Sequence, residues 1–530
     1  MYFKMNYLAQ GKLCPPKELL LMRLKGGIFL KLKHILKRAF QSITVASLTV
    51  SLALPVSASS MDPGEFAKQN GAYTPAGNPS VTIDHSAIAA RKKLKDKDVL
   101  GPVDPAYTMD VSYDSENHHV SGTMNVTFKN NIMDNLENLY FNLWGNAETF
   151  AENGGGMDVA NIKVNGKKAE YEMNGTSLHI SGLSLKENKP VNVEMDFEVN
   201  LPEQQDRFGW YKDTVSMGNW FPILSVYDDE GWNVDPYYPY GEAFYSVSGS
   251  YDVTVTTEKE QVIAATGTEI GQPTVHGDLA THRYKAFNVR DFAMEMNPNY
   301  HVISTKVNNV DVNVYYSDEH AKYADALLES GAESIQLFSE KFGKYPWPEL
   351  DVVTMEGWFG GMEYPQLVMI SFSGERSLEW TKSVNAHEIG HQWFYGIIGD
   401  NEYDEPWLDE SFASFAASLY DGELDSLEVP PVPDEYYHLS SPVSDFTARA
   451  SEGGINYYYW MIYGYGSSTL NDLRQELGDS VFYEAMRSYF KEQKFGVSST
   501  EEFISAMERS SGMDLSEFFN SHRVFVSDQQ

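Results

Sequence analysis

Between Tyr107 and about Ser304, apolar side chains recur at every second position: Met124, Val126 and Phe128; Leu139, Phe141 and Leu143; Val191, Val193, Met195, Phe197 and Val199; Tyr251, Val253 and Val255. Successive side chains of a strand point to opposite faces, so a period of two predicts strands with one face in a core. This stretch is assigned to an N-terminal antiparallel β domain, sandwich or saddle in form, over residues 103–306. Beyond it the period lengthens. Leu328, Ile335, Phe338 and Phe342 fall at helical spacing and predict an α+β second domain over residues 307–530. The fold class is therefore multidomain, β followed by α+β, with no internal repeat.

Residues 1–102 follow neither pattern. Lys31, Lys33, Lys37 and Arg38 precede a stretch from Phe40 to Val56 rich in Ala, Leu, Val, Ser and Thr, and Val56, Ser57 and Ala58 give the small-x-small pattern of a signal cleavage site. Residues 1–58 read as a signal peptide cut after Ala58, with Met22 as an alternative start. Gln41, Ser42, Thr44, Ser47, Thr49 and Ser51 interrupt the run of roughly 18 apolar residues that a spanning helix needs, so no membrane span is expected in the mature chain. Residues 59–102, with Pro63, Pro75, Pro79 and a charged run near 91–98, read as a polar linker or arm.

Composition narrows the function. The 530 residues are 42% hydrophobic and 13% aromatic, enough for more than one ordinary core. The formal charge is −35, and without residues 1–58 the balance is 31 basic against 74 acidic residues, which excludes a phosphate-binding surface and hence nucleic acid. Cys14 is the single cysteine and lies in the leader, so disulfides and thiol catalysis are excluded from the mature chain. A secreted location is expected, with attachment to the cell envelope left open.

The candidate chemistry begins at His387, where residues 387–391 read H-E-I-G-H. Positions four apart on a helix lie on one face, so His387 and His391 can present two imidazoles to one metal ion, with Glu388 beside its open side. A catalytic zinc takes three protein ligands and keeps one position for water, whose proton a nearby carboxylate accepts. Glu388 fits the base. Glu410, with eighteen residues between it and His391, in W-L-D-E-S-F-A, fits the third ligand. By chance, H-[DE]-x-x-H is expected about 0.04 times in a chain of 530 residues with 13 His and 75 acidic residues, so the motif gains its weight from its company. Gly390, a glycine inside the predicted helix, hints at close packing there.

That company is upstream and downstream. Gly360, Gly361, Met362, Glu363, Tyr364 and Pro365 spell G-G-M-E-Y-P, and with the zinc signature and its spacing this resembles the M1 family of metallo-aminopeptidases, which writes the segment G-x-M-E-N. The resemblance implies a secreted bacterial zinc aminopeptidase with a thermolysin-like catalytic domain and one Zn2+ per chain, acting on peptides with a free amino terminus. It implies further that Gly360, Gly361 and Met362 form an edge strand beside the substrate and that Glu363 binds the substrate's ammonium. A carboxylate held at a set distance from the metal selects which bond is cut. Tyr463, in Y-G-Y-G, matches the family's catalytic tyrosine, whose phenol donates to the oxyanion; Tyr457, Tyr458, Tyr459 and Tyr465 lie close by.

Several positions depart from the family. Tyr364 and Asp409 stand in place of asparagines, Tyr395 in place of glycine, and Ala417 where an acidic residue supports the histidines; Asp404 or Glu405 are candidate replacements for that support. The family's Q-x-x-x-A-R stretch is missing, and the chain has instead G-N-W-F-P-I-L from Gly218 to Leu224 and Y-G-E-A-F-Y from Tyr240 to Tyr245. Two rival readings stay open: a thermolysin-like neutral endopeptidase, which shares H-E-x-x-H but not G-x-M-E, and a catalytically silent peptide-binding surface protein.

Overall fold

The computed structural model describes residues 101–526 apart from 132–134, 229, 243 and 433–434. The expected signal peptide, Cys14 and all but the last two residues of the expected arm lie outside the described residues.

The alternating pattern becomes a nine-stranded sheet. Its central strands are Leu279–Val289, Gly249–Glu258, Val103–Asp114, His119–Lys129, Pro190–Asn200 and Gly156–Val164, neighbours in that order. Every apolar residue named from the pattern faces the core: Met124, Val126, Phe128, Val191, Val193, Met195, Phe197, Val199, Tyr251, Val253 and Val255 are all buried. The sheet is antiparallel with one exception, since Val103–Asp114 runs parallel to Gly249–Glu258 with Met109 opposite Val253. Two four-stranded sheets lie in the same region, one of Val262–Ala265, Met294–Asn297, Thr214–Met217 and Phe208–Tyr211, the other containing Leu139–Asn142 and Ser177–Ser181.

A second, five-stranded sheet follows in the order His301–Val307, Val310–Tyr316, Glu349–Met355, Leu367–Ser371, Gly361–Met362. Its hairpin starts before the sequence-based changeover: His301–Val307, placed with the β region by its pattern, pairs antiparallel with Val310–Tyr316. The inner pairs are parallel, and the strands Glu349–Met355 and Leu367–Ser371 are almost wholly buried, as a sheet covered on both faces requires. Gly361–Met362 closes the sheet antiparallel to Leu367–Ser371, with Gly361 opposite Ile370, so these two residues of G-G-M-E form an edge strand, while Gly360 and Glu363 flank it.

Helices cover this sheet. Ala321–Lys341 (α1) buries Leu327, Ile335 and Phe338 and leaves Leu328 only half-buried. Leu378–Gly390 (α2) begins at Ser377, whose side chain accepts from the Trp380 N–H. Trp407–Asp421 (α3) ends at Gly422 in the left-handed conformation. Gly390 does mark a close approach: an added Cβ there would lie 3.0 Å from Ala416 Cβ and 3.2 Å from Ala413 Cα of α3. Among the described residues no helix is long and apolar enough to cross a membrane.

The junction of the two regions contains a buried acid. Glu295 accepts from the Tyr300 hydroxyl at 2.6 Å and from the Ser216 hydroxyl at 3.4 Å, and the Tyr300 hydroxyl also reaches the Thr354 carbonyl of the second sheet at 3.0 Å. Burial pushes its carboxyl up from 4.5 to about 8. The folded protein therefore keeps a proton that the unfolded chain releases above its ordinary pKa, and folding stability falls as pH rises from about 4.5 to about 8, by at most ~1.4 kcal/mol per unit. Glu295→Gln is expected to remove this share of the slope, so that between pH 5 and pH 8 the variant loses less Tm than the wild type; equal losses in parallel melts would contradict the assignment.

Candidate active site

α2 delivers His387 one turn before its C-cap, His391, and α3 brings Glu410 up from its first turn. The three meet. His387 Nε2 lies 3.2 Å from His391 Nε2 and 3.2 Å from Glu410 Oε2, and His391 Nε2 lies 3.4 Å from the same oxygen. Two ligands of a tetrahedral ion at 2.0–2.1 Å are about 3.3 Å apart, so these donor atoms already have the spacing that zinc requires. Glu410 is held below the usual carboxylate range: burial opposes this, but His391 and His387 outweigh it.

The missing support for the histidines is Asp409. Its Oδ1 pairs with His391 Nδ1, turning Nε2 toward the metal position. Asp404 and Glu405, the replacements considered from sequence, are engaged elsewhere: Asp404 accepts from Asn401, and Glu405 from the Thr500 N–H. Ala417 is buried and brings no polar group. Tyr395 keeps the backbone of the glycine it replaces, with φ 117°, and its carbonyl accepts from Arg290.

Glu388 is buried against the edge strand. A Cβ on Gly361 would stand 2.5 Å from Glu388 Oε1, so the second glycine of G-G-M-E makes room for the carboxylate. Gly360 lines the same cleft without such a constraint, since its Cβ would meet only Val384 at 3.8 Å. Met362 points away and takes a contact from Arg207 Nη1 on its sulfur at 3.1 Å.

The cleft is bordered by His387, His391, Glu410, Glu388, Glu363 and Tyr463 together with two residues to which the sequence assigns no role, Arg207 and Glu242. Arg207 Nη1 is 3.5 Å from Glu242 Oε1, and its guanidinium lies over Phe244 at 5.2 Å. The only advance signal was a charge within each of two aromatic stretches, one of them Y-G-E-A-F-Y. Within the described residues, Glu242 Oε2 and Glu363 Oε1 are buried without a hydrogen-bond partner. Burial pushes Glu363 up to about 8; His391 opposes this, while Asp409 and Glu410 add to it. Glu242 and Glu388 are raised well above the carboxylate range by burial first and by Glu363 second. The carboxylates outnumber the positive groups beside them, so the cleft favours added cations.

Tyr463 belongs to a π-helical turn, Tyr459–Tyr465. Its hydroxyl donates to Glu410 Oε1, and its ring is parallel to His387 within 10° at 5.9 Å. Tyr459 also borders the cleft, whereas Tyr458 packs on Tyr240 and Phe446.

Residues 326–522 match the profile described as Peptidase family M1 domain. The matched stretch contains His387, His391, Glu410, Glu388, Glu363 and Tyr463. Over 254 residues the chain is 29% identical to Aminopeptidase 2 of Candida albicans, spanning 43% of this chain and 26% of that one. Over 241 residues it is 27% identical to Aminopeptidase N of Lactobacillus helveticus, spanning 40% and 28%. The matched region thus spans about a quarter of the length of these relatives. In fold, the chain is similar to the M1 zinc metallopeptidase of Deinococcus radiodurans, with TM-score 0.58 and 17% identity over 81% of this chain and 95% of that one. It is also similar to a mutant of that peptidase bound to a Tyr-Ser-Ala substrate, with TM-score 0.56 and 15% identity over 80% and 94%.

The Asp409 contact yields a direct test. Asp409→Ala is expected to weaken zinc binding about 10–100-fold, read by competition with a chromogenic chelator. Unchanged affinity would remove Asp409 from the metal site.

Proposed function

We propose that the chain is a secreted zinc aminopeptidase that removes amino-terminal residues from peptides, with one zinc held by His387, His391 and Glu410. The observation that carries this reading is the pair of buried, unpartnered carboxylate oxygens, Glu363 Oε1 and Glu242 Oε2, in the same cleft as the three ligand side chains. A buried carboxylate without a partner is costly, and a substrate ammonium would relieve both. An endopeptidase cleft, which must pass a neutral chain in both directions, has no use for such a seat. The names of the relatives, Aminopeptidase 2 and Aminopeptidase N, support the same class.

Zinc at the three ligands would supply a Lewis acid for the scissile carbonyl and acidify the attacking water. The residues do the rest. Glu363, with Glu242 across from it, holds the ammonium and so limits cleavage to the first bond. The edge strand Gly361–Met362 offers its backbone to the peptide. Glu388, packed on Gly361, takes the proton of the attacking water and passes it to the departing amine. Positive charge at the ligands and the ammonium seat draws Glu388 back toward its ionised form, against burial and Glu363. Tyr463 turns its hydroxyl from Glu410 to the oxygen that becomes negative in the transition state.

The test is hydrolysis of matched free-amine and N-acetylated peptides with a mass readout. The free-amine peptides are expected to lose their first residue and the acetylated ones to remain intact; efficient cleavage of acetylated peptides would establish the endopeptidase reading instead. Glu388→Gln should lower kcat by about 10²–10⁴ with zinc retained, and Glu363→Gln should raise KM about 10–100-fold. Zinc binding with no turnover above Glu388→Gln would favour a silent peptide binder. Export rests on the basic run and the small-x-small site ending at Ala58, and amino-terminal sequencing of the secreted chain should begin at Ser59.

A further inference from the structure

Two departures from the M1 pattern meet in space. Tyr364, which replaces asparagine after Glu363, is wholly buried and sends its side chain away from the cleft into the N-terminal β region. There its hydroxyl donates to Asn219 Oδ1 at 2.8 Å, and Asn219 Nδ2 donates to Asp291, which also accepts from the Phe292 N–H at 2.6 Å. Asn219 belongs to G-N-W-F-P, the stretch present where the family's Q-x-x-x-A-R is missing.

Each residue of that triplet has a part. A Cβ on Gly218 would fall 1.9 Å from the Tyr364 hydroxyl, so only glycine admits the phenol. Asn219 takes a left-handed backbone, φ 51°, which asparagine tolerates better than most residues and which carries the amide between Tyr364 and Asp291. Trp220 Nε1 donates to the Phe292 carbonyl at 2.9 Å, tying the triplet to the residue after Asp291.

On its other side the same segment is gripped by the metal-bearing turn. Gln392, next to His391, donates from Nε2 to the carbonyls of Glu363 at 3.2 Å and Tyr364 at 3.1 Å, and its Oε1 accepts from the Gln366 N–H at 2.8 Å. Glu363 Oε1 itself has no partner within the described residues, so the place of the carboxylate is set through this backbone.

We propose that Tyr364, Asn219 and Asp291 form a strut from the N-terminal β region that holds Glu363 in register with the metal ligands, with Tyr364 a positioning residue for the substrate ammonium. The inference rests on the reading of Glu363 as the ammonium seat. The phenol and G-N-W are then one device, each present because of the other. The strut acts on ammonium binding and leaves the proton transfers at Glu388 untouched.

The test uses the full, zinc-loaded chain, the aminoacyl p-nitroanilide it cleaves fastest, and the matching amino alcohol as an inhibitor with an amine but no scissile bond. Tyr364→Phe deletes only the hydroxyl. It should raise KM and the amino alcohol Ki about tenfold, the effect of one buried hydrogen bond, with kcat within about threefold. The N-acetylated amino alcohol should bind wild type and variant alike. Should Tyr364→Phe fail to fold, Asn219→Gly suits the backbone at φ 51°, removes the acceptor and carries the same expectation. Unchanged KM and Ki in these variants, or a fall in kcat alone, while Glu363→Gln raises both, would overturn the strut and leave the ammonium seat standing. Unchanged KM and Ki in Glu363→Gln would overturn the seat and the strut together.

Discussion

The candidate site is organised around an excess of buried negative charge. Glu242, Glu363, Glu388 and Glu410 border one cleft, with Asp409 behind His391, against Arg207 and two histidines. Carboxylates in that number cannot all be ionised out of water without counter-charge, and the structure divides them by environment. Glu410 is kept ionised by the histidines it faces, while Glu363, Glu242 and Glu388 are pushed toward neutrality by burial and by one another. A dication at the first group and an ammonium at the second would settle the imbalance together. Binding of metal and substrate is thus coupled through the same electrostatic field.

Holding such groups in place requires close approach of backbones, and the glycines mark where this happens. Gly361 yields to Glu388, Gly218 to the Tyr364 phenol and Gly390 to α3, which carries Asp409 and Glu410. In each case the space of a methyl group is taken by a side chain or helix that positions a charge. Packing and chemistry are here the same constraint: a Cβ at any of the three would move a functional group rather than merely strain a core.

The alternating strands were legible because every side chain in them obeys one rule, and the meeting of His387, His391 and Glu410 was legible because the three are tied to helix periodicity and short spacing. Arg207 and Glu242 were not, since they reach the cleft from loops well over a hundred residues upstream of the metal motif and a lone charge in an aromatic stretch carries no period. Asp409 was read as a departure from asparagine when it is the histidine's partner, because which carboxylate turns toward Nδ1 depends on a rotamer and not on spacing. The hairpin at His301–Val307 shares its alternation with the strands before it, so a pattern of period two could not say that it pairs forward with Val310–Tyr316. The parallel pairing of Val103–Asp114 with Gly249–Glu258 was hidden for the same reason.

The last tie joins Tyr463 to the ligands. A π-helical turn widens the ring of hydrogen bonds by one residue and leaves carbonyls poorly served. In Tyr459–Tyr465 the Ile462 carbonyl accepts from the Ser411 hydroxyl at 2.5 Å, and Gly466 has no Cβ because Ser411 Oγ would lie 1.9 Å from it. Ser411 directly follows Glu410. The first turn of α3 therefore sets Glu410 against the Tyr463 phenol with one residue and braces the segment bearing that phenol with the next. Tyr459 and Tyr463, four residues apart, both border the cleft. An ordinary helical turn would give up the Ser411 brace and with it the fixed distance between the phenol and the metal ligands.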